Sequence, residues 1–130
     1  MRPVFYVSDG TGITTETIGH SVLAQFQGVQ YHAHRIPFVD SPEKARQTAD
    51  IISLQQSQSG QRAVVFTSLV DAEAHTVLAG TGALMLDVLA PFAHPLEQEL
   101  GVVRKPRVGG AHAMVDYKAY EDRINATHFS

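Results

Sequence analysis

The chain has 130 residues, of which 44% are hydrophobic and 18% charged, and its formal net charge is −3. This length and composition are typical of a single globular domain with a hydrophobic core, and they exclude a disordered, collagen-like or coiled-coil protein. The absence of cysteine excludes disulfides and thiol chemistry, while the lack of a signal-peptide pattern or a long apolar stretch predicts a cytoplasmic protein that does not enter a membrane.

The first predicted element is a strand at residues 4–7, VFYV. Its uninterrupted apolar run is typical of a central strand that is buried on both faces. A helix is predicted over Thr11–Phe26. Within it, Ile18, Val22 and Phe26 recur at helical spacing and should face the sheet.

The second predicted strand, residues 29–36, alternates apolar and polar residues, which is typical of a strand near an edge of the sheet. His32 and His34 lie on one face of this strand, at a spacing that is able to chelate a metal. No carboxylate cluster accompanies them, so we predict a solvent-facing pair and no metal site. The helix that follows should begin at Ser41 as its N-cap and end at Gly60.

Two more strands are predicted in the second half of the chain. Residues 63–66, AVVF, form a buried strand, and either Ser68 or Asp71 should cap the short helix after it. Residues 83–89, ALMLDVL, supply the fourth strand.

Two helices are predicted toward the C-terminus. Pro91 and Pro95 suit the opening turns of the first one, because a proline there does not have to donate an intrahelical hydrogen bond. Tyr117, Tyr120 and Ile124 share one face of the second helix at helical spacing.

This alternation of strands and helices predicts one α/β domain over residues 1–130. We expect a three-layer fold in which an open, mostly parallel sheet of about four strands is flanked by helices, of the Rossmann or flavodoxin-like type. In such sheets, ligands bind beyond the carboxyl ends of the strands, where the strand order reverses. The polar stretch SDGTGITTET follows the first central strand and should lie there.

This stretch is the candidate ligand site. Its glycines let backbone N–H groups approach a ligand, its hydroxyls can donate to phosphate oxygens, and the helix N-terminus adds partial positive charge. It is not a Walker loop, since it lacks G-x-x-x-x-G-K, nor a dinucleotide fingerprint, since it lacks the third glycine. The predicted nucleotide- or phosphate-binding residues are Ser8, Asp9, Gly10, Thr11, Gly12, Thr14 and Thr15.

Asp9 limits how an anion binds to this stretch. A carboxylate about 4 Å away repels each unit of phosphate charge by roughly 4 kcal/mol at an effective dielectric of 20, whereas a helix N-terminus attracts it by only about 1 to 2 kcal/mol. If a phosphate binds, Asp9 therefore points away as a cap, or holds a cation or a ribose hydroxyl. Equally open is a site without a ligand, in which Asp9 caps the helix and Gly10 makes the turn.

The segment after Leu100 is locally basic. A pI of about 6.1 and the absence of a long basic stripe argue against a nucleic-acid partner. We predict no catalytic residue and no metal ligand in the chain. The predicted contacts to phosphate or to a protein target in this segment are Arg104, Lys105, Arg107 and His112.

Several stretches of the chain carry a family resemblance. VFYVSDGTGITTETIGHSVLAQF, followed by RIPFVDSPEKA, closely resembles the N-terminal region of the phosphoenolpyruvate synthase regulatory proteins, which are relatives of the plant pyruvate, phosphate dikinase regulatory proteins. VVFTSLV, PLEQELG and YEDRINATHF extend the resemblance over essentially the whole chain.

The resemblance implies a bacterial, bifunctional transferase. Such an enzyme is a serine/threonine kinase that uses ADP to phosphorylate a threonine of phosphoenolpyruvate synthase, and a pyrophosphorylase that uses inorganic phosphate to remove that group. The family's P-loop, G-x-S-R-x-G-K-T, belongs to a downstream domain and does not occur in this chain. The resemblance therefore implies an N-terminal regulatory or target-docking domain that binds no cofactor, is inactive alone and belongs to a homodimer.

Two other functions stay open. The pattern S-x-G-T-G-x-T-x-E is also similar to the FMN-phosphate loop of flavodoxins, which would make the chain an electron carrier. The modest net charge and the lack of tryptophan argue against it. The third function is a structural dimerisation domain that binds no small molecule.

Overall fold

A computed structural model describes residues 1–105, and within them four strands alternate with four helices. The strands are β1 (Arg2–Val7), β2 (Tyr31–Ile36), β3 (Val64–Thr67) and β4 (Leu84–Asp87). The helices are α1 (Ile13–Leu23), α2 (Pro42–Ser59), α3 (Ala72–Ala79) and α4 (Ala90–Leu100). None of these helices is long and apolar enough to cross a membrane. The helix predicted around Tyr117 and Tyr120 lies outside the described residues.

The four strands form one sheet in the order β2–β1–β3–β4, and all three pairings are parallel. β1 is central and buried along all but its first residue, as its apolar run predicts. β2 is an edge strand, as its alternating pattern predicts. The predicted α/β fold with an open, parallel sheet of about four strands is therefore confirmed.

Helices cover both faces of the sheet. Successive residues of a strand point to opposite faces, so Phe5 packs toward α2 and α3, where Ile52 and Leu78 are fully buried. Tyr6 packs on the other face, against Ile18 of α1. The result is a three-layer arrangement with a core on each side of the sheet.

Most of the predicted helix ends are confirmed. Ser41 Oγ caps α2 by accepting a hydrogen bond from the third helical N–H at 3.2 Å, and Gly60 ends that helix at a φ of 67°. Asp71 caps α3, and Ser68 does not. In α4 only the first proline lies in the opening turn, because Pro95 lies inside the helix.

The predicted sheet-facing residues of α1 are wrong at two of three positions. Ile18 packs on the core, but Val22 is 44% exposed, and Phe26 lies beyond the end of α1 and is 60% exposed. The buried residues of α1 are Thr15 and Gly19. Small residues occupy this face because α1 lies close against the aromatic side chains of the sheet. Hydrophobic periodicity follows the spacing of apolar residues and therefore does not detect a buried face made of threonine and glycine.

Candidate functional site

The strand order reverses between β1 and β3. From β1 the chain crosses to β2 on one side, and it then returns to β3 and β4 on the other side. The connections that leave the carboxyl ends of β1 and β3 therefore diverge and open a crevice, which is the usual ligand site of open α/β sheets. Residues 8–15 lie at this crevice, since Ser8 directly follows the last residue of β1.

Three buried hydroxyl groups link the diverging segments. Thr15 Oγ1 donates to Ser68 Oγ at 2.9 Å, and Ser68 Oγ donates to Ser8 Oγ at 3.1 Å. Ser8 Oγ also accepts from the backbone N–H of Gly10 at 3.0 Å. Each of the three hydroxyl residues is at most 1% exposed, so water does not compete for these hydrogen bonds. This hydroxyl cluster holds the first turn of α1 against the ends of β1 and β3.

Ser68 belongs to this site but is not among the ligand-binding residues predicted from the sequence. Its position nevertheless carries a usable signal. Like Ser8, it is a polar residue that directly follows a buried apolar strand. Parallel strands end at the same edge of a sheet, so two such residues on neighbouring strands are expected to meet.

Backbone hydrogen bonds hold the Ser8–Gly10 segment from its other side. The Ser8 carbonyl accepts from the N–H of Val39 at 2.9 Å, and the Gly10 carbonyl accepts from the N–H of Phe38 at 2.8 Å. Phe38 has a φ of 59°, in the left-handed region that residues other than glycine rarely adopt. Such strain persists only where the surrounding structure enforces it. The segment is therefore rigidly placed before any ligand arrives.

α1 begins differently from α2 and α3: its first N–H group, that of Ile13, donates to Thr11 Oγ1 at 3.5 Å. Its N-cap is Gly12, at a φ of 84°, whereas Ser41 and Asp71 cap α2 and α3 with their side chains. The alternative in which Asp9 caps α1 stays a prediction; Asp9 is 7% exposed and lies within the segment that precedes Gly12. Like any helix N-terminus, the start of α1 carries partial positive charge, and it lies at the crevice.

Arg35 brings a cation to this segment, and the sequence analysis missed it. Arg35 pairs with Tyr6 across β1 and β2, and a Cβ atom built on Gly12 would lie 3.0 Å from Arg35 Cγ. The Arg35 Nε lies 3.8 Å from Glu16 Oε2, and both side chains are nearly half exposed. Such a pair contributes at most about 1 kcal/mol, so an anionic ligand can replace Glu16 as the partner of Arg35 at low cost.

The other predicted site residues are not all brought to the crevice. Arg104 and Lys105 follow α4 and are exposed. The N–H of Arg104 donates to Glu97 Oε2 at 3.3 Å, which ties this segment to α4. Arg107 and His112 lie outside the described residues. Of the rest of the predicted stretch, Thr14 lies in the first turn of α1, and the connection between β1 and α1 contains the others: Asp9, Gly10, Thr11 and Gly12.

The two histidines of β2 form a ring pair on the face opposite α1. Their ring centroids are 4.4 Å apart, and His34 also stacks on Phe5 at 5.5 Å. His32 is exposed as predicted, but His34 is half-buried, and its Nε2 is buried without a hydrogen-bond partner among the described residues. Residues 1–105 contain no cluster of three or more metal-ligating side chains.

Protonation of His34 is expected to destabilise the fold. Burial of the ring, and secondarily the nearby His32, lowers the pKa of His34 below its usual value of 6.5. The unfolded chain therefore binds this proton more tightly, so stability that is present above the unfolded pKa is lost as the pH falls through the lowered folded pKa. Urea unfolding should show a decrease in the free energy of unfolding between about pH 7 and about pH 5. His34→Phe should flatten that decrease and His94→Gln should not; a slope unchanged by His34→Phe would contradict this assignment.

The family model and the curated relatives that match this chain agree with each other. Residues 4–130 match a family model described as "Kinase/pyrophosphorylase". The chain is 54% identical over 130 residues to a phosphoenolpyruvate synthase regulatory protein, so named, of Stenotrophomonas maltophilia (strain K279a). It is 53% identical over the same length to a protein of that name from Xanthomonas oryzae pv. oryzae (strain MAFF 311018). Each comparison covers 100% of this chain and 48% of the relative, so the chain spans about half the length of these curated relatives.

Proposed function

This chain belongs to the kinase/pyrophosphorylase family, and on that premise we propose that residues 1–130 form the N-terminal α/β unit of a regulator of phosphoenolpyruvate synthase. The regulator switches the synthase off by phosphorylating one of its threonines with ADP. It restores activity by transferring that group to inorganic phosphate, with release of pyrophosphate. The names of the relatives support the target, and the family description supports the two reactions.

Phosphoryl transfer itself is assigned to a part of the relatives that this chain does not cover. Residues 1–130 contain no G-x-x-x-x-G-K-[ST] sequence, and such a loop supplies the lysine that neutralises phosphate charge during transfer. The unit described here therefore has a binding or docking role, and the complete regulator is proposed to be a cytoplasmic homodimer.

The binding role is proposed for residues 8–15, with a nucleotide phosphate or inorganic phosphate as the ligand. The hydroxyl cluster carries this proposal, because it places the stretch at the reversal of strand order. A rigid segment at that position loses little conformational freedom when a ligand binds.

The charges around the crevice support an anion despite Asp9. The Arg35 side chain passes beside Gly12, with its Cγ 3.0 Å from the Cβ position of that residue, and the N-terminus of α1 adds partial positive charge there. Asp9 is buried at 7% exposure, in a segment whose neighbours Ser8 and Gly10 are tied to other parts of the chain. A phosphate over Gly12 would thus lie next to the Arg35 side chain.

The basic residues after α4 are proposed to contact the synthase. Arg104 and Lys105 are exposed, and Arg104 is tied to α4 by its hydrogen bond to Glu97. Exposed arginine and lysine side chains suit an acidic patch on a protein partner. Arg107 and His112 belong to the same proposed contact.

Calorimetric titration of the chain with ADP, AMP and inorganic phosphate tests the binding role. We expect at least one of these ligands to bind, and Gly12→Ala to weaken that binding at least tenfold. Alanine at a φ of 84° is strained by about 1 to 2 kcal/mol, and its Cβ would displace Arg35.

Gly60→Ala is the matched control for this titration. Gly60 also has a positive φ, of 67°, but it lies at the end of α2 with no atom within 4 Å of its Cβ position. The Gly60→Ala chain should bind the ligand with the same affinity as the wild-type chain. If none of the three ligands binds, the unit has only a docking or structural role. If the chain instead binds FMN and shows flavin absorption, the electron-carrier function is favoured.

A further inference from the structure

A cavity of about 400 Å³ lies between α1 and β2, on the α1 side of the sheet. It is distinct from the hydroxyl cluster, because its lining comes from Tyr6, from the outer face of α1 and from the edge strand. Its volume lies within the range of small-molecule sites. Nothing in the proposed regulator uses this cavity.

Aromatic rings form much of its wall. Tyr6, Tyr31 and His20 line it, and Tyr31 Oη lies 3.4 Å from His20 Nδ1. Burial, and then the proximity of Tyr31 and Glu16, raises the pKa of Tyr6 to about 12. The Tyr6 hydroxyl therefore stays protonated, and Tyr6 adds no negative charge to the wall. Flat aromatic walls favour a planar ring as the occupant.

The helix side of the cavity offers hydrogen-bond acceptors. Thr17 Oγ1 donates its proton to the carbonyl of Ile13 at 2.8 Å, and Ser21 Oγ donates its proton to the carbonyl of Thr17 at 2.8 Å. Both oxygens keep lone pairs for a ligand, and the Glu16 side chain, which lies 3.8 Å from Arg35, also has acceptor oxygens. An occupant with N–H or O–H donors therefore matches the helix side of the cavity.

We propose that this cavity binds an amino-bearing planar heterocycle of the nucleobase type. The heterocycle lies along the tyrosine rings, and its N–H groups donate to Glu16, Thr17 or Ser21. Arg35 lies between the cavity and the crevice, since it contacts both Glu16 and Gly12. A nucleotide with its base in the cavity would direct its phosphate toward Gly12; this last connection alone rests on the proposed function.

Titration with adenine and with adenosine, both without phosphate, tests the cavity directly. The chain has four tyrosines and no tryptophan, so its fluorescence comes from tyrosine, and two of the four, Tyr6 and Tyr31, line the cavity. We expect saturable binding of both compounds. Ala33→Leu, which adds bulk to the cavity from β2, should weaken it at least tenfold.

His32→Leu is the control, because His32 is next to Ala33 on β2 but faces the other side of the sheet. It should bind adenine within twofold of the wild-type chain. Thr17→Val removes an acceptor with little change of volume and should weaken adenine binding at least threefold. This variant tests the cavity if Ala33→Leu does not fold. No saturable change with adenine, unaltered binding by both cavity variants, or equal binding of ribose alone would overturn the proposal.

The outcomes also separate the two proposals. Binding of inorganic phosphate without adenine would overturn the cavity assignment and leave the crevice assignment standing. Binding of adenine, with no phosphate-bearing ligand bound at the crevice, would support the cavity assignment and overturn the crevice assignment.

Discussion

Gly19→Ala is expected to lower the free energy of unfolding by about 2 kcal/mol, within the range for overpacked cores. In an exposed helix the same change raises stability by about 0.5 to 1 kcal/mol, because glycine loses more backbone freedom on folding than alanine does. The predicted change therefore has the opposite sign to the one that helix propensity alone gives.

The reason is the closeness of α1 to the sheet. A Cβ atom on Gly19 would lie 2.5 Å from Tyr6 Cε1 and 2.9 Å from Phe66 Cδ2. Both rings belong to the buried core on this face and are at most 4% exposed. A contact this short forces α1 or the two rings out of their packed positions.

Urea unfolding followed by circular dichroism measures this effect, with Val22→Ala as the matched variant in the same helix. Val22 is 44% exposed, so its truncation should change stability by no more than about 0.5 kcal/mol. A larger loss for Val22→Ala than for Gly19→Ala would mean that α1 faces the sheet as the apolar periodicity predicts, and the packing described here would be wrong.

Ser68→Ala should also cost about 2 kcal/mol, because a buried hydrogen-bonding group left unpaired costs about 1 to 3 kcal/mol. The substitution removes the acceptor of Thr15 Oγ1 and the donor to Ser8 Oγ together. All three side chains are buried, so water does not replace the lost partner. Ser8 Oγ keeps the N–H of Gly10, which leaves the Thr15 hydroxyl as the main unpaired group.

A double-mutant cycle isolates this contribution. Thr15→Val keeps the side-chain shape and removes the hydroxyl, so Ser68→Ala should cost at least about 1 kcal/mol less in a Thr15→Val chain than in the wild-type chain. Urea unfolding of the four chains gives the coupling. Additive losses would show that the two hydroxyls do not depend on each other, contrary to the 2.9 Å hydrogen bond between them.

Gly19 and the hydroxyl cluster both position α1 against the sheet. Gly19 sets how closely α1 approaches the sheet, and the hydroxyl cluster sets where α1 begins relative to β1 and β3. Both therefore control the position of Gly12 and Arg35. Gly19→Ala and Ser68→Ala should therefore each weaken the binding of a ligand at the crevice as well as lower the stability of the fold.

The sequence by itself determined the order and type of the described elements. Unbroken apolar runs identified β1 and β3 as central strands, alternation identified β2 as an edge strand, and local capping residues located both ends of α2. These features depend on periodicity and on contacts within a few residues, and both can be read from neighbouring letters. The position of residues 8–15 after a central strand could be predicted for the same reason.

Only the tertiary structure decided which side chains meet. Ser68 is a site residue because β3 lies beside β1, and Arg35 reaches Gly12 because β2 lies on the other side of β1. The buried face of α1 consists of small residues because aromatic rings from two strands occupy the space above it. Each of these contacts joins residues that are distant in sequence, and their energies depend on distances of a few ångströms that only the packing of the layers sets.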